Sequence, residues 1–141
     1  MRVAIDIRKL HDYGIGTYVR NLVRELARLD DTTEYVLLCR RDDLKQVASL
    51  GSNFTGLVQA ASNYSVTEQL SVPTSIWSSG ATLFHTPHYV LPLLTPCPSI
   101  VTIHDCIHLQ FPQYLPNRIA YTYAWTNLWI ATRRARRVLT V

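Results

Sequence analysis

The sequence predicts an α/β protein with a Rossmann-like open parallel sheet and helices on both faces. Apolar, β-branched runs of strand length alternate with stretches of helical periodicity, and their connections have the length of βαβ units. The 141 residues are 48% hydrophobic and 17% charged, which suits one packed domain over residues 1–141 and excludes a disordered chain. We therefore expect one parallel sheet in a single domain.

The first half of the chain carries the clearest unit of this pattern. Residues 3–7 are a β-branched run typical of a buried strand, and residues 8–16 form a loop that contains glycine. Thr17 is expected to cap an amphipathic helix that runs to Leu29, since apolar residues recur after it at helical spacing. Residues 35–39 are the second predicted strand, so the order is strand, helix, strand.

Three weaker elements follow this unit. Residues 42–50 predict a short helix and residues 57–60 a strand. Residues 66–79 predict a helix that Pro73 should kink or split, because proline cannot donate the hydrogen bond of a helix interior.

Two further strands are predicted over residues 82–86 and 99–103, with a proline-rich loop between them. A last helix opens at Pro116 and reaches roughly Arg136. Its aromatic residues recur every four positions and are expected to pack in the core; they are Tyr121, Trp125 and Trp129. Residues 138–141 begin another buried-strand pattern where the chain stops, which predicts a sheet cut short.

The overall charge of +4 suits a phosphate, a nucleic acid or an anionic membrane surface. The N-terminus meets a base at Arg2 and an acid at Asp6, too early for a signal peptide, so we expect a cytoplasmic protein that could contact the inner face of the membrane. Three cysteines without a CxxC pair favour free thiols.

The loop before the first helix is a candidate phosphate site. Gly14, Ile15 and Gly16 lie between a strand and a helix, where backbone N–H groups can face an anion. Glycines that only satisfy turn geometry are the equal alternative. Arg40 and Arg41 follow the second strand, where a reader of an NADP 2′-phosphate would lie.

Histidines follow both later strands, and they form the densest polar group in the chain. His104, Asp105 and His108 follow one strand, while His85 and His88 end the other. Their spacing matches no known zinc signature, so no metal is expected. An imidazole beside a carboxylate can bond a sugar hydroxyl or move a proton near neutral pH. We expect His104 to be functional and His85 to be a core histidine bonded to backbone.

Taken in order, these motifs resemble the N-terminal half of a family 4 retaining glycosyltransferase of the GT-B fold, most like the bacterial mannosyltransferase-type members that build cell-surface polysaccharides. The matching pieces are residues 6–8, 14–18, 83–87 with Tyr89 and Pro92, 101–105 and 136–141.

The resemblance implies transfer of a mannose-like sugar from a nucleotide-sugar to a glycan or lipid-linked acceptor, with retention and without a metal or other cofactor. It places Gly14, Ile15 and Gly16 at the donor diphosphate and the catalytic His104 beside the transferred sugar. The acceptor-side residues that it implies are Arg8, Tyr13, His88, Tyr89 and Asp105.

The family's donor-binding C-terminal domain is absent from these 141 residues. The chain is therefore expected to be the acceptor-side domain and to be nearly inactive alone, since half a cleft cannot preorganise both substrates. Exposed sheet surface at its end would favour a homodimer.

Two other functions remain open on the same residues. The glycine loop with Arg40 and Arg41 would suit an NADP-binding oxidoreductase domain. The arginines of the first helix and of the chain's end would suit a basic module that binds a membrane or nucleic acid, although no nucleic-acid-binding motif is present and no nucleic-acid partner is expected.

Overall fold

The computed structural model describes residues 1–61, 65 and 67–141, and these residues form one six-stranded parallel sheet of order β3-β2-β1-β4-β5-β6. The strands are β1 Arg2–Asp6, β2 Glu34–Cys39, β3 Phe54–Val58, β4 Leu83–Thr86, β5 Ser99–Ile103 and β6 Arg137–Thr140. The helices are α1 Ile15–Leu29, α2 Leu44–Ala48, α3 Glu68–Ser79, α4 Ile107–Gln110 and α5 Arg118–Arg134. Short 3₁₀ turns precede α2 and α5, at Arg41–Asp43 and Pro112–Tyr114.

Helices cover both faces of the sheet, so the predicted fold class is confirmed. Alternate residues of each strand point to opposite faces. Val3 and Ile5 of β1 pack in a cluster with Val19 of α1, while Ala4 packs in a second cluster with Val72 of α3. We call the side of α1 and α2 the first face, and the side of α3 and α5 the second face.

The strand order places a switch point between β1 and β4. From β1 the chain adds β2 and β3 to one side, and it then returns to place β4 on the other side of β1. Strands β1 and β4 are neighbours, and they end at Asp6 and Thr86. The loops that follow these two strands run in opposite directions, so a crevice opens between them at the carboxyl ends of the strands. We call this side of the sheet the carboxyl edge.

Helix α1 begins at Ile15, so the predicted cap at Thr17 is wrong. Gly14 precedes the helix with φ +73°, a conformation that glycine adopts without strain. Thr17 lies inside the first turn, and its hydroxyl accepts a hydrogen bond from Arg20 at 2.9 Å.

Helix α3 is continuous from Glu68 to Ser79, so Pro73 does not split it. The predicted start at Val66 lies outside the described residues. The strand predicted over residues 57–60 lies earlier in the chain, at Phe54–Val58.

The last helix begins as predicted, because Asn117 caps it by accepting a hydrogen bond from the Ala120 amide at 2.9 Å. The predicted burial of its aromatic stripe is wrong. Trp125 and Trp129 are each 49% exposed, and Leu128 and Ala131 pack on the sheet instead. Strand β6 is also exposed along its length rather than buried. Within the described part of the chain, none of the helices combines the length and the apolarity that a bilayer crossing requires.

Candidate functional site

The carboxyl edge carries a cleft of about 100 Å³ beside the switch point. It is built by the residues that follow β4 and β5 and by the start of α1. Its lining residues are Ile15, His88, Tyr89, His104, Asp105, Ile107 and His108. The structure thus brings together six of the residues that the sequence analysis named, all but Ile107, from three separate segments of the chain.

His104 is held by a hydrogen bond between its Nε2 atom and the carbonyl oxygen of Pro87, at 3.0 Å. A carbonyl can only accept, so Nε2 carries the proton and donates. In the neutral ring, Nδ1 is then left as an acceptor. The ring of Tyr18 meets His104 edge to face, with ring centroids 5.0 Å apart, and fixes the plane of the imidazole.

His88 has the opposite arrangement of its ring nitrogens. The amide of Val90 donates to its Nδ1 at 3.2 Å, so in the neutral ring the proton lies on Nε2. Burial and, to a lesser extent, the nearby positive charges of Lys9 and His104 together lower the pKa of His88 to about 3. His88 is therefore a neutral hydrogen-bond donor at physiological pH.

Tyr89 joins the two halves of the cleft. Its ring lies against His88 with centroids 4.3 Å apart, and it meets the His108 ring edge to face at 6.1 Å. These contacts give the cleft an aromatic wall next to imidazole groups. Such a wall is suited to the apolar face of a ring-shaped ligand that also carries hydroxyls.

Asp105 lies at the exposed end of the cleft. Its Oδ1 accepts a hydrogen bond from the Ile107 amide at 3.0 Å, which orders the turn from β5 into α4. Its carboxylate therefore has one oxygen engaged with the backbone and borders the cleft beside His104.

His85 is buried on the first face, as predicted for a core histidine, but its partner is a side chain rather than backbone. Its Nε2 lies 2.9 Å from the Thr102 hydroxyl, which in turn lies 3.3 Å from the hydroxyl of Tyr18. Burial lowers the pKa of His85 to about 4. A buried hydrogen-bonded chain therefore runs from His85 to the tyrosine that contacts His104.

Arg8 lies behind the cleft and is engaged by two carboxylates. Its guanidinium binds Asp6 in a bidentate pair, at 2.9 and 2.5 Å, and Glu68 at 2.5 Å. Nη1 also donates to the carbonyl of Ala61 at 3.1 Å. Burial opposes its charge, but Asp6 and Glu68 outweigh that effect and raise the pKa of Arg8 above its ordinary value. Its side chain is only 2% exposed and joins β1 to α3, and its predicted acceptor role stays a prediction.

The glycine loop is shaped by packing. The amides of Ile15 and Gly16 donate to the carbonyls of Tyr13 and Asp12, both at 2.9 Å. A Cβ atom on Gly16 would lie 2.5 Å from the carbonyl oxygen of Leu10, so this glycine permits the close approach of α1 to its own loop. The phosphate role of the loop stays a prediction. Tyr13, a predicted acceptor residue, is fully exposed on the loop and does not line the cleft.

The structure also places the two arginines and the three cysteines that the sequence analysis considered. Arg40 and Arg41 follow β2 at the carboxyl edge, as the NADP alternative requires. Cys39, Cys97 and Cys106 are free thiols. Within residues 1–61, 65 and 67–141, no three His, Cys, Asp or Glu side chains lie close enough to share a metal ion.

Sequence reasoning missed the residues that support the cleft, namely Tyr18, Thr102 and Glu68. Tyr18 and Thr102 lie within segments that carry the family resemblance, but the sequence predicts no role for either side chain. Glu68 is the single acid in the first turn of α3, which is a signal only for helix capping. Its partner Arg8 lies 60 positions earlier in the chain, and no local pattern links the two.

Comparison with protein family models, with curated proteins and with solved structures gives no match for this chain. The resemblance to family 4 glycosyltransferases therefore rests on the residue motifs quoted above and stays a prediction.

Proposed function

We propose that this chain is the acceptor-side domain of a retaining glycosyltransferase that moves a mannose-like sugar from a nucleotide-sugar to a glycan or lipid-linked acceptor. The observation that carries the proposal is the convergence of His104, His88, Tyr89 and Asp105 in one cleft at the carboxyl edge. The order of motifs along the chain selects this function from the many that an α/β sheet can support.

The hydrogen-bonding character of the cleft suits a sugar. A hydroxyl group both donates and accepts, so it matches a site that offers both functions. His88 and His104 both line the cleft, and His104 in its neutral form has an acceptor at Nδ1 in addition to the proton on Nε2. Tyr89 supplies an aromatic surface between His88 and His108.

The buried groups behind the cleft would preorganise it. Arg8 ties the end of β1 to α3, and Tyr18 holds the plane of the His104 ring. Fixed partners reduce the reorganisation that a reacting complex must undergo, which is a main source of enzymatic rate enhancement. In this proposal His104 touches the transferred sugar, while Arg8 and Tyr18 act only as positioning residues.

The test is nucleotide release from a panel of UDP- and GDP-sugars, measured for the chain alone and for the chain joined to a donor-binding half of a family 4 enzyme. We expect release only from the joined protein, and a loss of about 10²–10⁴-fold in His104→Ala. His11→Ala, which removes an exposed histidine that does not line the cleft, is the matched control. Absence of release from every donor, or full activity in His104→Ala, would overturn the proposal.

A second function has one structural observation in its favour. The strand order 3-2-1-4-5-6 is that of dinucleotide-binding domains, and Arg40 follows β2 where a 2′-phosphate would bind. Calorimetric titration with NADPH distinguishes the two. Saturable NADPH binding that Arg40→Gln abolishes and His104→Ala leaves intact would favour the oxidoreductase domain.

A further inference from the structure

The net charge of the chain comes entirely from its second half. Residues 1–68 contain nine basic and nine acidic side chains, whereas residues 69–141 contain five arginines and one acid, Asp105. The second half builds α3, β4, β5, α5 and β6, and so supplies both large helices of the second face. The excess positive charge therefore lies on the segment from α5 to β6, while the first half of the chain has no net charge.

The exposed side of α5 combines these arginines with tryptophan. One stripe of exposed residues follows the helix at spacings of three and four: Arg118, Thr122, Trp125, Trp129 and Arg133. Arg133 lies over the Trp129 ring, with its guanidinium carbon 5.8 Å from the ring centroid. Half-exposed tryptophan beside arginine suits contact with a membrane surface, because tryptophan favours the headgroup level and arginine meets anionic phosphate.

An apolar groove of about 750 Å³ runs along the flank of this stripe and shares Arg118 and Thr122 with it. Its rim carries Leu70 of α3 (62% exposed), Leu94 (66%) and Ile119 of α5 (79%). The described residues that line the groove include no acid. We call the stripe together with this groove the α5 face.

The groove is continuous with the candidate functional site. A second opening of about 550 Å³ shares Tyr89 and His108 with the cleft, and Ile119 and Tyr123 with the groove. The α5 face therefore lies beside the mouth of the cleft rather than on the far side of the molecule.

We propose that the α5 face is a docking surface for an anionic phospholipid bilayer. Its arginines meet the lipid phosphates, and its tryptophans and rim leucines enter the boundary between headgroups and acyl chains. The charge pattern selects this occupant. A second copy of the chain would bring Arg118 and Arg133 of this face, with Arg134 beside them, against the same arginines with no acid of the groove to balance them, whereas anionic headgroups neutralise them. The inference does not require glycosyl transfer, because it concerns only where the chain lies.

The first helix supplies the matched control. Arg24 and Arg28 are exposed near the end of α1, on the first face, with side chains 70% and 68% exposed. Arg133 and Arg134 are exposed in the last turn of α5. Two double variants, R133Q/R134Q and R24Q/R28Q, therefore remove the same charge from opposite faces.

The experiment measures binding of the chain to vesicles of phosphatidylglycerol mixed with phosphatidylcholine, and to vesicles of phosphatidylcholine alone. We expect binding to the anionic vesicles, a reduction of about tenfold or more in R133Q/R134Q, and a reduction of less than about threefold in R24Q/R28Q. Brominated lipid should quench the tryptophan fluorescence, and W125F/W129F should lose that quenching although Trp77 remains. Circular dichroism checks that each variant is folded.

Four outcomes would overturn the proposal. They are equal binding to both kinds of vesicle, equal losses in the two arginine variants, quenching that persists in W125F/W129F, and displacement of the chain from vesicles by equimolar duplex nucleic acid. A dimer that sedimentation detects and that R133Q/R134Q dissociates would assign the α5 face to a second copy instead.

Discussion

The Nε2 atom of His104 donates to the carbonyl oxygen of Pro87 over 3.0 Å, and this bond joins the segments that follow β5 and β4. It sets the tautomer of the imidazole as well as its position, because the carbonyl can only accept. The ring of Tyr18 limits rotation from the side. His104 is therefore oriented before any ligand arrives.

Acid should destabilise the fold through its buried histidines. The pKa of His85 is lowered from 6.5 to about 4, so between these values the unfolded chain binds a proton that the folded chain does not. The free energy of unfolding is therefore highest above pH 6.5. It falls as the pH drops from 6.5 toward 4, and His85 accounts for a loss of roughly 3 kcal/mol over this range. Urea unfolding across this range should show the loss, and His85→Gln should reduce its slope. A flat profile for the unmodified chain would contradict the assignment.

Arg8→Met should be strongly destabilising. The substitution leaves the carboxylates of Asp6 and Glu68 buried without their cation, which costs about 3–5 kcal/mol. Arg28→Met removes an exposed arginine paired with Glu25 at 2.8 Å and should cost less than about 1 kcal/mol. Chemical denaturation compares the two variants. Equal losses in the free energy of unfolding for Arg8→Met and Arg28→Met would contradict the prediction that the buried ion pairs of Arg8 stabilise the fold.

Gly16→Ala should destabilise by roughly 1–3 kcal/mol, because the new Cβ would meet the Leu10 carbonyl oxygen and backbone must shift. Gly14→Ala meets no atom within 4 Å but must keep a φ of +73° with a ψ of −75°, so its loss is backbone strain of about 1–3 kcal/mol. Thermal unfolding measures both. Gly14→Asn should not recover the loss at position 14, since asparagine tolerates positive φ chiefly in the left-handed helical region and the ψ of −75° places Gly14 outside it.

Thr102→Val should remove the shared partner of His85 and Tyr18 while keeping the β-branched shape of the strand residue. Leaving a buried polar group unsatisfied costs about 1–3 kcal/mol. Thr74→Val, at an exposed helix position where the hydroxyl bonds the Leu70 carbonyl at 2.8 Å, should change stability by less than about 0.5 kcal/mol. Equal stability of Thr102→Val and the unmodified chain would argue against the chain of hydrogen bonds.

The three thiols should react in order of exposure. Cys106 is exposed, Cys97 half-buried and Cys39 fully buried. Burial, together with the charge of Asp43, raises the pKa of Cys39 to about 11. Titration with a thiol reagent should label Cys106 first and Cys39 only after unfolding. Rapid labelling of Cys39 in the native chain would contradict its placement in the core.

The strands and the cleft were predictable because both follow from local rules. Residues 99–103 are a β-branched run that is the whole of β5, and the Asn117 side chain caps α5 where the sequence placed a helix start. The carboxyl ends of parallel strands meet at one edge of the sheet, so the residues after β4 and β5 had to converge there. His88 and His104 line the same cleft for that reason.

What could not be predicted depends on distant contacts. The spacing of Trp125 and Trp129 predicts a common helix face, but only packing decides that the smaller Ala131 faces the sheet instead. The start of α1 depends on the fit of Gly16 against the Leu10 carbonyl, which no cap signal encodes. The burial of Arg8 depends on Glu68, and that pairing exists only once α3 lies across the switch point.

The uneven division of charge between residues 1–68 and 69–141 also has a kinetic consequence. A body with a neutral half and a cationic half has a permanent electric moment, so the field of any anionic surface exerts a torque on it. This torque acts over a distance of about 10 Å at moderate salt, before the surfaces touch. The cationic half therefore faces the anionic surface during approach, and a larger fraction of collisions occurs in the orientation that allows binding.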